Sequence, residues 1–265
     1  MIKCNGKQVE LNHFPDGTLL IKELAPDAEN VVVTWLYENN EEMVALYFLV
    51  NHLQSKGLKN IELNMPYIPN ARQDRVKAPE DVFTLKYFAK MINSLGFSKV
   101  TVLDPHSYVS EALLDNICIK TPKANVEKVL DKISQGGKED VLLFYPDEGA
   151  MKRYSAMCDK PYVFGIKKRD WTTGEIQGLD VQGQTQLIEG STILIVDDIC
   201  SRGGTFYHSA KALKALGAGK INLYISHCEN SILDGELLTS GLIEKVYTTN
   251  SIFTKNHEKI EIMEV

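Results

Sequence analysis

An apolar run in the last third of the chain ends in two adjacent acids, and a glycine pair follows them. The run is 193–196, the acids are Asp197 and Asp198, and the glycines are Gly203 and Gly204. Two carboxylates can bind the vicinal hydroxyls of a sugar, either directly or through a divalent cation. Glycines before a helix let a phosphate approach backbone N–H groups, which favour an anion there. The spacing therefore predicts a site for a ribose that carries a 5-phosphate.

The two parts of this ligand correspond to two parts of the segment. We predict that Asp197 and Asp198 hold the ribose hydroxyls. The predicted phosphate ligands are the residues of the turn: Ser201, Arg202, Gly203, Gly204 and Thr205. Ligands of open α/β sheets bind at the carboxyl ends of strands, where this segment would lie. The alternative is an ordinary strand–helix turn with solvated acids, which an Asp-Asp pair alone would favour.

Charged residues also follow other apolar runs. They are Arg72 with Arg75, His106, Asp147, and Lys167 with Arg169. Guanidinium groups suit bidentate contact with phosphate, and a carboxylate suits Mg²⁺. Taken singly, surface arginines, a structural histidine and a solvated charge run are the more common interpretations. The stretch 169–178 follows the last of these charges and contains Thr172, Thr173 and Gly174. We expect it to be a mobile polar loop.

The elements that must position these residues alternate between strands and helices. Short apolar runs predict buried strands, and apolar residues at helical spacing before a glycine predict helices. The predicted strands are 31–36, 61–65, 99–103, 141–145, 162–166, 192–196, 221–226 and 246–248, with 260–263 free to join either domain. The predicted helices end at Gly57, Gly96 and Gly217, with another over 126–133. This alternation predicts an α/β protein with largely parallel sheets flanked by helices.

Composition narrows the class of protein. The 265 residues include 44% hydrophobic and 24% charged residues, and the net charge is -6. This excludes a disordered chain, and the acidic balance argues against a nucleic-acid partner. The five cysteines are odd in number and lack CxxC spacing, which fits a reducing compartment. Because no signal-peptide core and no membrane-length apolar run is seen, we expect a cytoplasmic protein without a membrane partner.

The acid–glycine segment resembles the phosphoribosyl-pyrophosphate motif that type I phosphoribosyltransferases share with ribose-phosphate pyrophosphokinases. Five further segments, in the right order, resemble the pyrophosphokinases alone. They are 13–17 (similar to FxDGE), 71–75 (ARQDR), 104–107 (similar to DLHA), 145–149 with Lys152 and Arg153 (similar to SPDAGG…KR), and 167–169 (similar to KxR). The chain is therefore identified as a divergent short member of the ribose-phosphate pyrophosphokinases, also called phosphoribosyl pyrophosphate synthetases.

The resemblance implies two phosphoribosyltransferase-like domains, an ATP-side domain over 1–122 and a ribose-phosphate domain over 123–265. It implies transfer of the β,γ-diphosphate of Mg-ATP to the anomeric hydroxyl of ribose 5-phosphate, with release of AMP. The implied ATP-binding residues are Phe14, Asp16, Arg72, Gln73, Asp74 and His106, with His106 and Asp147 also on Mg²⁺. Lys167 and Arg169 would be catalytic, stabilising the transferring group. Phe14 and Asp16 would complete the adenine site of a neighbouring subunit, which implies a homo-oligomer.

The chain departs from the family pattern at three places. Ser201 and Arg202 stand where the family has Asp-Thr, which makes the pocket more positive and suits a ligand with more phosphate charge, such as ADP-ribose. Thr18 replaces the glutamate of FxDGE, and the chain begins about one strand and one helix later than usual. ADP-ribose, giving ADP-ribose pyrophosphate for NAD synthesis, thus stays open beside ribose 5-phosphate. A phosphoribosyltransferase and a non-catalytic regulatory subunit of a synthetase are further alternatives.

Overall fold

The computed structural model describes residues 1–22, 29–169 and 176–265, with the backbone alone at 167–169 and 176–178. The chain folds as two compact units, Met1–Thr121 and Pro122–Val265. Each unit is built on a largely parallel sheet with helices packed on it. The α/β class expected from the sequence is confirmed.

The first unit is built on one mixed sheet and a separate hairpin. Its strands are β1 (Ile2–Cys4), β2 (Lys7–Gln8), β3 (Glu10–His13), β4 (Leu19–Lys22), β5 (Asn30–Trp35), β6 (Asn60–Asn64), β7 (Lys99–Leu103) and β8 (Ile117–Lys120). Its described helices are α1 (Glu41–Ser55), α2 (Thr84–Ser94) and α3 (Tyr108–Leu113). The sheet order is β2-β1-β5-β6-β7-β8, and β5 to β8 are parallel. Strands β3 and β4 form an antiparallel pair of their own.

Helices α1 and α2 bury the apolar residues that the helical spacing predicted. Leu46, Val50 and Leu53 of α1 and Leu85 and Ile92 of α2 are fully buried against the sheet. Beyond α1 the chain takes a left-handed turn, with φ of +88° at Gly57, which favours glycine and ends the helix. The carboxyl ends of β6 and β7 are thereby held at one edge of a packed core.

The second unit is built on a sheet that is parallel except at one edge. Its strands are β9 (Val141–Tyr145), β10 (Tyr162–Arg169), β11 (Ile176–Gly183), β12 (Thr192–Cys200), β13 (Ile221–Cys228), β14 (Lys245–Thr249) and β15 (Ile260–Met263). Its described helices are α4 (Lys123–Ile133), α5 (Glu148–Tyr154) and α6 (Gly204–Ala215). The sheet order is β11-β10-β9-β12-β13-β14-β15, with β11 antiparallel to β10. Strand β12, which carries the two acids, therefore lies between β9 and β13.

Two cores lie on the two faces of this sheet. Val126 of α4 and Tyr154 of α5 pack on one face, while Phe206 and Leu213 of α6 pack on the other. Strand β12 has both faces covered, so its residues 192–196 are all buried. This burial explains why the run is continuously apolar rather than alternating.

The structure differs from the sequence-based expectations mainly at sheet edges. The expected loop over 169–178 is in part a hairpin, because β10 continues to Arg169 and β11 begins at Ile176. Strand β12 continues four residues beyond the predicted end, through both acids to Cys200. Residues 260–263, left open between the domains, pair with β14 in the second unit. Every helix among the described residues is too short or too polar to cross a bilayer.

Candidate functional site

The two acids of the acid–glycine segment lie within the last four residues of β12 rather than after the strand. Successive side chains of a strand point to opposite faces of the sheet. Ile195 belongs to the core beneath α6, and Val196 belongs to the core beneath α4 and α5. The same alternation places Asp197 on the α6 face and Asp198 on the α5 face. Each carboxylate therefore has surroundings of its own.

The charge of Asp198 is balanced by Arg153 of α5. Asp198 is only 5% exposed, and its Oδ2 lies 3.1 Å from Nη1 of Arg153. Arg153 also donates to the Tyr154 hydroxyl at 3.2 Å, and its guanidinium lies 5.4 Å from the centre of the Tyr154 ring. The ion pair with Arg153 offsets the cost of burying the charged form of Asp198. Asp198 can thus accept hydrogen bonds from hydroxyl groups.

Asp197 is in a different electrostatic environment. Its Oδ1 accepts a hydrogen bond from the backbone N–H of Asp198 at 3.0 Å. Burial, followed by the nearby carboxylate of Asp198, raises the pKa of Asp197 well above its ordinary value, and Asp147 acts in the same direction. Such a group gains from neighbours that offset its negative charge, whether hydroxyl donors or a divalent cation.

The turn after β12 has the form expected for an anion site. Gly203 has φ of +80°, a left-handed conformation that favours glycine, and a Cβ there would lie 3.0 Å from the Leu237 side chain. Gly204 begins α6, whose first N–H groups have no acceptor within the helix. Arg202 is exposed on the same turn, while Ser201 and Thr205 are half-buried. Backbone donors and a guanidinium are therefore offered together at the carboxyl edge of the sheet.

In the first unit, the 71–75 segment lies in the loop after β6. It contains both exposed polar residues and a buried acid. Arg72 and Gln73 are exposed, and the Gln73 side-chain oxygen accepts a hydrogen bond from the Thr84 hydroxyl at 2.8 Å. Asp74 is only 6% exposed and accepts from Nε of Arg75 at 2.8 Å and from Nη2 at 3.2 Å. Asp74 is thus the buried member of an ion pair with its exposed neighbour Arg75.

The loop after β7 lies beside this one. Hydrogen bonds from Arg75 hold the pKa of Asp74 below its ordinary value, and the nearby His106 acts in the same direction. Two of the predicted ATP-binding residues are therefore neighbours at the carboxyl edge of the first sheet. The exposed polar side chains of the 71–75 segment are those of Arg72, Gln73 and Arg75, and Arg75 is paired with Asp74.

The tip of the β3–β4 hairpin carries Phe14 and Asp16. Phe14 is 50% exposed, and its backbone N–H donates to the Thr18 carbonyl at 2.9 Å. Asp16 Oδ1 accepts from the Thr18 N–H at 3.0 Å and from its hydroxyl at 2.7 Å, which lowers the pKa of Asp16. Thr18, the residue that departs from the family pattern, therefore closes the loop onto Asp16.

The predicted catalytic side chains, those of Lys167 and Arg169, lie outside the described residues. The backbone of Lys167 pairs with Leu179 and that of Arg169 with Ile176 in the β10–β11 hairpin.

The predicted metal ligands, His106 and Asp147, belong to different units. Asp147 caps α5, with Oδ1 accepting from the Ala150 N–H at 3.1 Å. No cluster of three or more His, Cys, Asp or Glu side chains in the described ranges is arranged to hold a metal. Mg²⁺ binds through one or two carboxylates together with waters and substrate phosphates, so Asp147 and Asp197 offer suitable oxygen donors.

Arg153 is the site residue to which the sequence assigned no role. It was part of the 145–153 segment, but the chain separates it from Asp198 by 45 positions. The signal that could have found it is the buried acid itself, since a carboxylate at the end of a fully covered strand needs a cation nearby.

The family comparisons agree with the two-unit division. A model of the N-terminal domain of ribose phosphate pyrophosphokinase matches residues 1–96. A phosphoribosyl transferase domain model matches residues 121–234, which include the acid–glycine segment.

Individual proteins are similar along nearly the whole chain. The ribose-phosphate pyrophosphokinase of Thermococcus kodakarensis is 27% identical over 253 residues, covering 93% of this chain and 86% of its own. The ribose-phosphate pyrophosphokinase of Sulfolobus acidocaldarius is 27% identical over 274 residues, covering 98% of this chain and 90% of its own. The crystal structure of phosphoribosylpyrophosphate synthetase from Mycobacterium smegmatis matches with a TM-score of 0.80 at 17% identity, covering 97% of this chain and 86% of that one. This last match shows that the fold is shared.

We predict that Arg153 and Asp198 are energetically coupled. Arg153→Met should lower the free energy of unfolding by about 3 kcal/mol, because it removes the guanidinium that pairs with a buried carboxylate. The double variant Arg153→Met/Asp198→Asn should recover most of that loss. Urea denaturation of both single variants and the double variant measures the coupling, with Lys152→Met, at an exposed neighbouring position, as the control. A coupling energy near zero would contradict the ion pair.

Asp74 should make stability depend on pH. Because its pKa is lowered on folding, its contribution is present above the unfolded value of about 3.9 and disappears as pH falls through the folded value. Asp74→Asn should therefore cost about 1 kcal/mol at pH 7, and the difference from the parent protein should shrink below pH 4. Urea midpoints at pH 7 and pH 3 measure this. The exposed Asp115→Asn serves as control, and a constant difference for Asp74→Asn would refute the assignment.

Proposed function

The chain belongs to the ribose-phosphate pyrophosphokinase family, and from this premise we propose that it transfers the β,γ-diphosphate of ATP to the anomeric hydroxyl of a 5-phosphorylated ribose. The default acceptor is ribose 5-phosphate, which gives phosphoribosyl pyrophosphate and AMP. The observation that carries this proposal is the carboxyl end of β12, where an acid paired with an arginine, a second acid and a glycine turn adjoin.

The acceptor would bind along this strand end. Asp198, paired with Arg153, accepts a hydrogen bond from one ribose hydroxyl, and Asp197 binds the neighbouring hydroxyl. The 5-phosphate is bound by the turn from Ser201 to Thr205, where the N–H groups at the start of α6 meet its negative charge. The two acids hold the ribose hydroxyls, and the N–H donors of the turn hold the phosphate. The sugar is then fixed at both ends, and the anomeric hydroxyl is left as the reacting group.

The transfer itself is a displacement at phosphorus. The anomeric oxygen attacks the β-phosphorus of ATP, the bond between that phosphorus and the α,β-bridging oxygen breaks, and AMP leaves. The attacking hydroxyl loses its proton to solvent water. Such reactions need positioning and charge stabilisation more than covalent help from the protein. Lys167 and Arg169 are proposed to supply that stabilisation from the β10–β11 hairpin, which would close over the diphosphate.

The nucleotide would be held by residues of the first unit. Arg72 and Gln73 are exposed after β6 and can contact ATP, while Asp74 positions their loop and His106 lies beside it. Phe14 and Asp16, at the hairpin tip, are proposed to complete the adenine site of a second copy in a homo-oligomer. Mg²⁺, carried by the nucleotide and held by Asp147 and His106, would offset the charge of the phosphates.

ADP-ribose is the second candidate acceptor, and Arg202 favours it. Arg202 is exposed on the phosphate turn, and no ion pair to it is found among the described residues. A free guanidinium beside a phosphate site can bind a second phosphate bidentately. An acceptor whose 5-position carries a diphosphate and a nucleoside would use this group, whereas ribose 5-phosphate needs it less.

The acceptor comparison is the test of this proposal. Purified protein with Mg-ATP and either ribose 5-phosphate or ADP-ribose is assayed for AMP release and for product mass. Arg202→Thr should lower the ratio of kcat/KM for ADP-ribose over ribose 5-phosphate about tenfold, because one charge-assisted contact is lost. Lys211→Thr, at an exposed position of α6, is the control. An unchanged ratio in Arg202→Thr would remove the argument for ADP-ribose.

The same assay separates the other two classes. A phosphoribosyltransferase would consume phosphoribosyl pyrophosphate with a base and would release no AMP from ATP with either sugar. A regulatory subunit would turn over neither acceptor but would change the rate of a partner synthetase.

We predict that Lys167→Ala and Arg169→Ala each reduce kcat by about 10²- to 10³-fold, the usual effect of removing one group that stabilises developing charge. Far-UV circular dichroism and the thermal midpoint should be nearly unchanged in both variants. Lys123→Ala, at an exposed position of α4, should retain the parent rate. Parent rates in both hairpin variants would rule out a catalytic role for the hairpin.

A further inference from the structure

A short segment lies directly behind the phosphate turn. It comprises residues 229–238, which follow β13 and include a 3-10 helix at Asn230–Asp234. Its first residue, Glu229, donates its N–H to the Cys200 carbonyl at 2.8 Å, which joins it to the last residue of β12. We call residues 229–238 the brace.

The brace meets the turn at Gly235. A Cβ at Gly235 would overlap the carbonyl oxygen of Arg202 and lie 2.9 Å from its carbonyl carbon. The backbone of Gly235 has φ of −98° and ψ of 170°, an extended conformation open to any residue. Glycine is therefore required at 235 by the closeness of Arg202 and not by the path of the chain.

A second contact lies one residue further along the turn. Leu237 is fully buried, and its side chain would lie 3.0 Å from a Cβ placed at Gly203. The brace thus touches both residues of the Arg202–Gly203 peptide, at the carbonyl through Gly235 and at the α-carbon through Leu237.

The brace itself is anchored away from the turn. Asn230 and Thr254 exchange two hydrogen bonds, from Asn230 Nδ2 to the Thr254 hydroxyl at 2.9 Å and from the Thr254 N–H to Asn230 Oδ1 at 3.0 Å. The Lys259 ammonium donates to the Leu238 carbonyl at 2.9 Å, and Ile232 is fully buried. Because Arg202 is exposed whereas Ile232 and Leu237 of the brace are fully buried, a side chain at 235 would displace the turn rather than the brace.

We infer that Gly235 is a positioning residue for the acceptor: its missing side chain lets the brace fix the orientation of the Arg202–Gly203 peptide. This inference rests on the proposed function, since it assigns the turn to the sugar phosphate. In a trans peptide the C=O and the next N–H point in opposite directions. With the Arg202 carbonyl held against Gly235, the N–H of Gly203 is directed away from the brace, toward the side where the phosphate would bind.

The test compares two glycines that face carbonyl oxygens at opposite ends of the same sheet. Gly235→Ala perturbs the turn. Gly219→Ala is the matched control, because a Cβ at Gly219 would lie 2.7 Å from the Gly190 carbonyl oxygen, near the start of β13. Leu237→Ala is a second variant that removes support from Gly203 without introducing a clash. For all four proteins we would measure KM for ribose 5-phosphate, ADP-ribose and ATP, kcat, and calorimetric Kd for both sugars.

The expected result is a loss of acceptor binding alone. Gly235→Ala should raise KM and Kd for the preferred sugar at least tenfold and Leu237→Ala at least threefold, with KM for ATP within twofold of the parent. Gly219→Ala should leave all three KM values within twofold. Equal losses for sugar and ATP in Gly235→Ala, or parent affinity for the sugar, would overturn the inference. So would failure of both brace variants to fold while Gly219→Ala folds, because the brace would then serve the fold alone.

Failure of the proposed function gives a different pattern. If the parent protein binds a sugar in the calorimeter but releases no AMP from ATP, the proposed reaction is wrong, while the Kd comparison still decides the role of Gly235. If the parent turns over and Gly235→Ala binds sugar as the parent does, the reaction stands and the positioning role is refuted.

Discussion

The burial of β12 on both faces is the constraint on which the second unit depends. A strand covered by helices on two sides must be apolar, and residues 192–196 are. The acids lie at its carboxyl end, after the apolar run, although the strand is still largely covered there: Asp198 is 5% exposed and Cys200 1%. There the alternation of side chains separates Asp197 from Asp198, and the cost of burying Asp198 is offset by Arg153.

Both units contain a buried acid that pairs with an arginine. Asp198 is buried and paired with Arg153, and Asp74 is buried and paired with Arg75. In each unit a buried acid pairs with an arginine near the carboxyl edge of a largely parallel sheet. Neighbouring groups stay exposed, Arg72 in the first unit and Arg202 in the second. The two buried acids thus hold arginines in place, and the exposed cations can supply charge for phosphate ligands.

The sequence predicted those parts of the fold and site that depend on local pattern. The buried strands of both sheets were found because a fully covered strand is a continuous apolar run, and the turn at Gly203 because glycines before a helix let a phosphate approach the backbone. The β10–β11 hairpin was taken for a loop, since an antiparallel edge strand can be polar and Lys167 to Arg169 are charged. The pairing of Arg153 with Asp198 depends on tertiary contact over 45 positions, which no spacing in the sequence encodes.

Register explains why the turn and the brace meet at all. Strands β12 and β13 are parallel and pair Cys200 with Cys228, so both strands end at the same level of the sheet. The residue after β13, Glu229, then donates its N–H to the Cys200 carbonyl. The brace therefore starts where the phosphate turn starts. A shift of register would move Gly235 away from Arg202 and place a bulkier neighbour there. The geometry of the phosphate turn is therefore set by pairing between the strands as much as by its own glycines, and Gly235 is a requirement of that pairing.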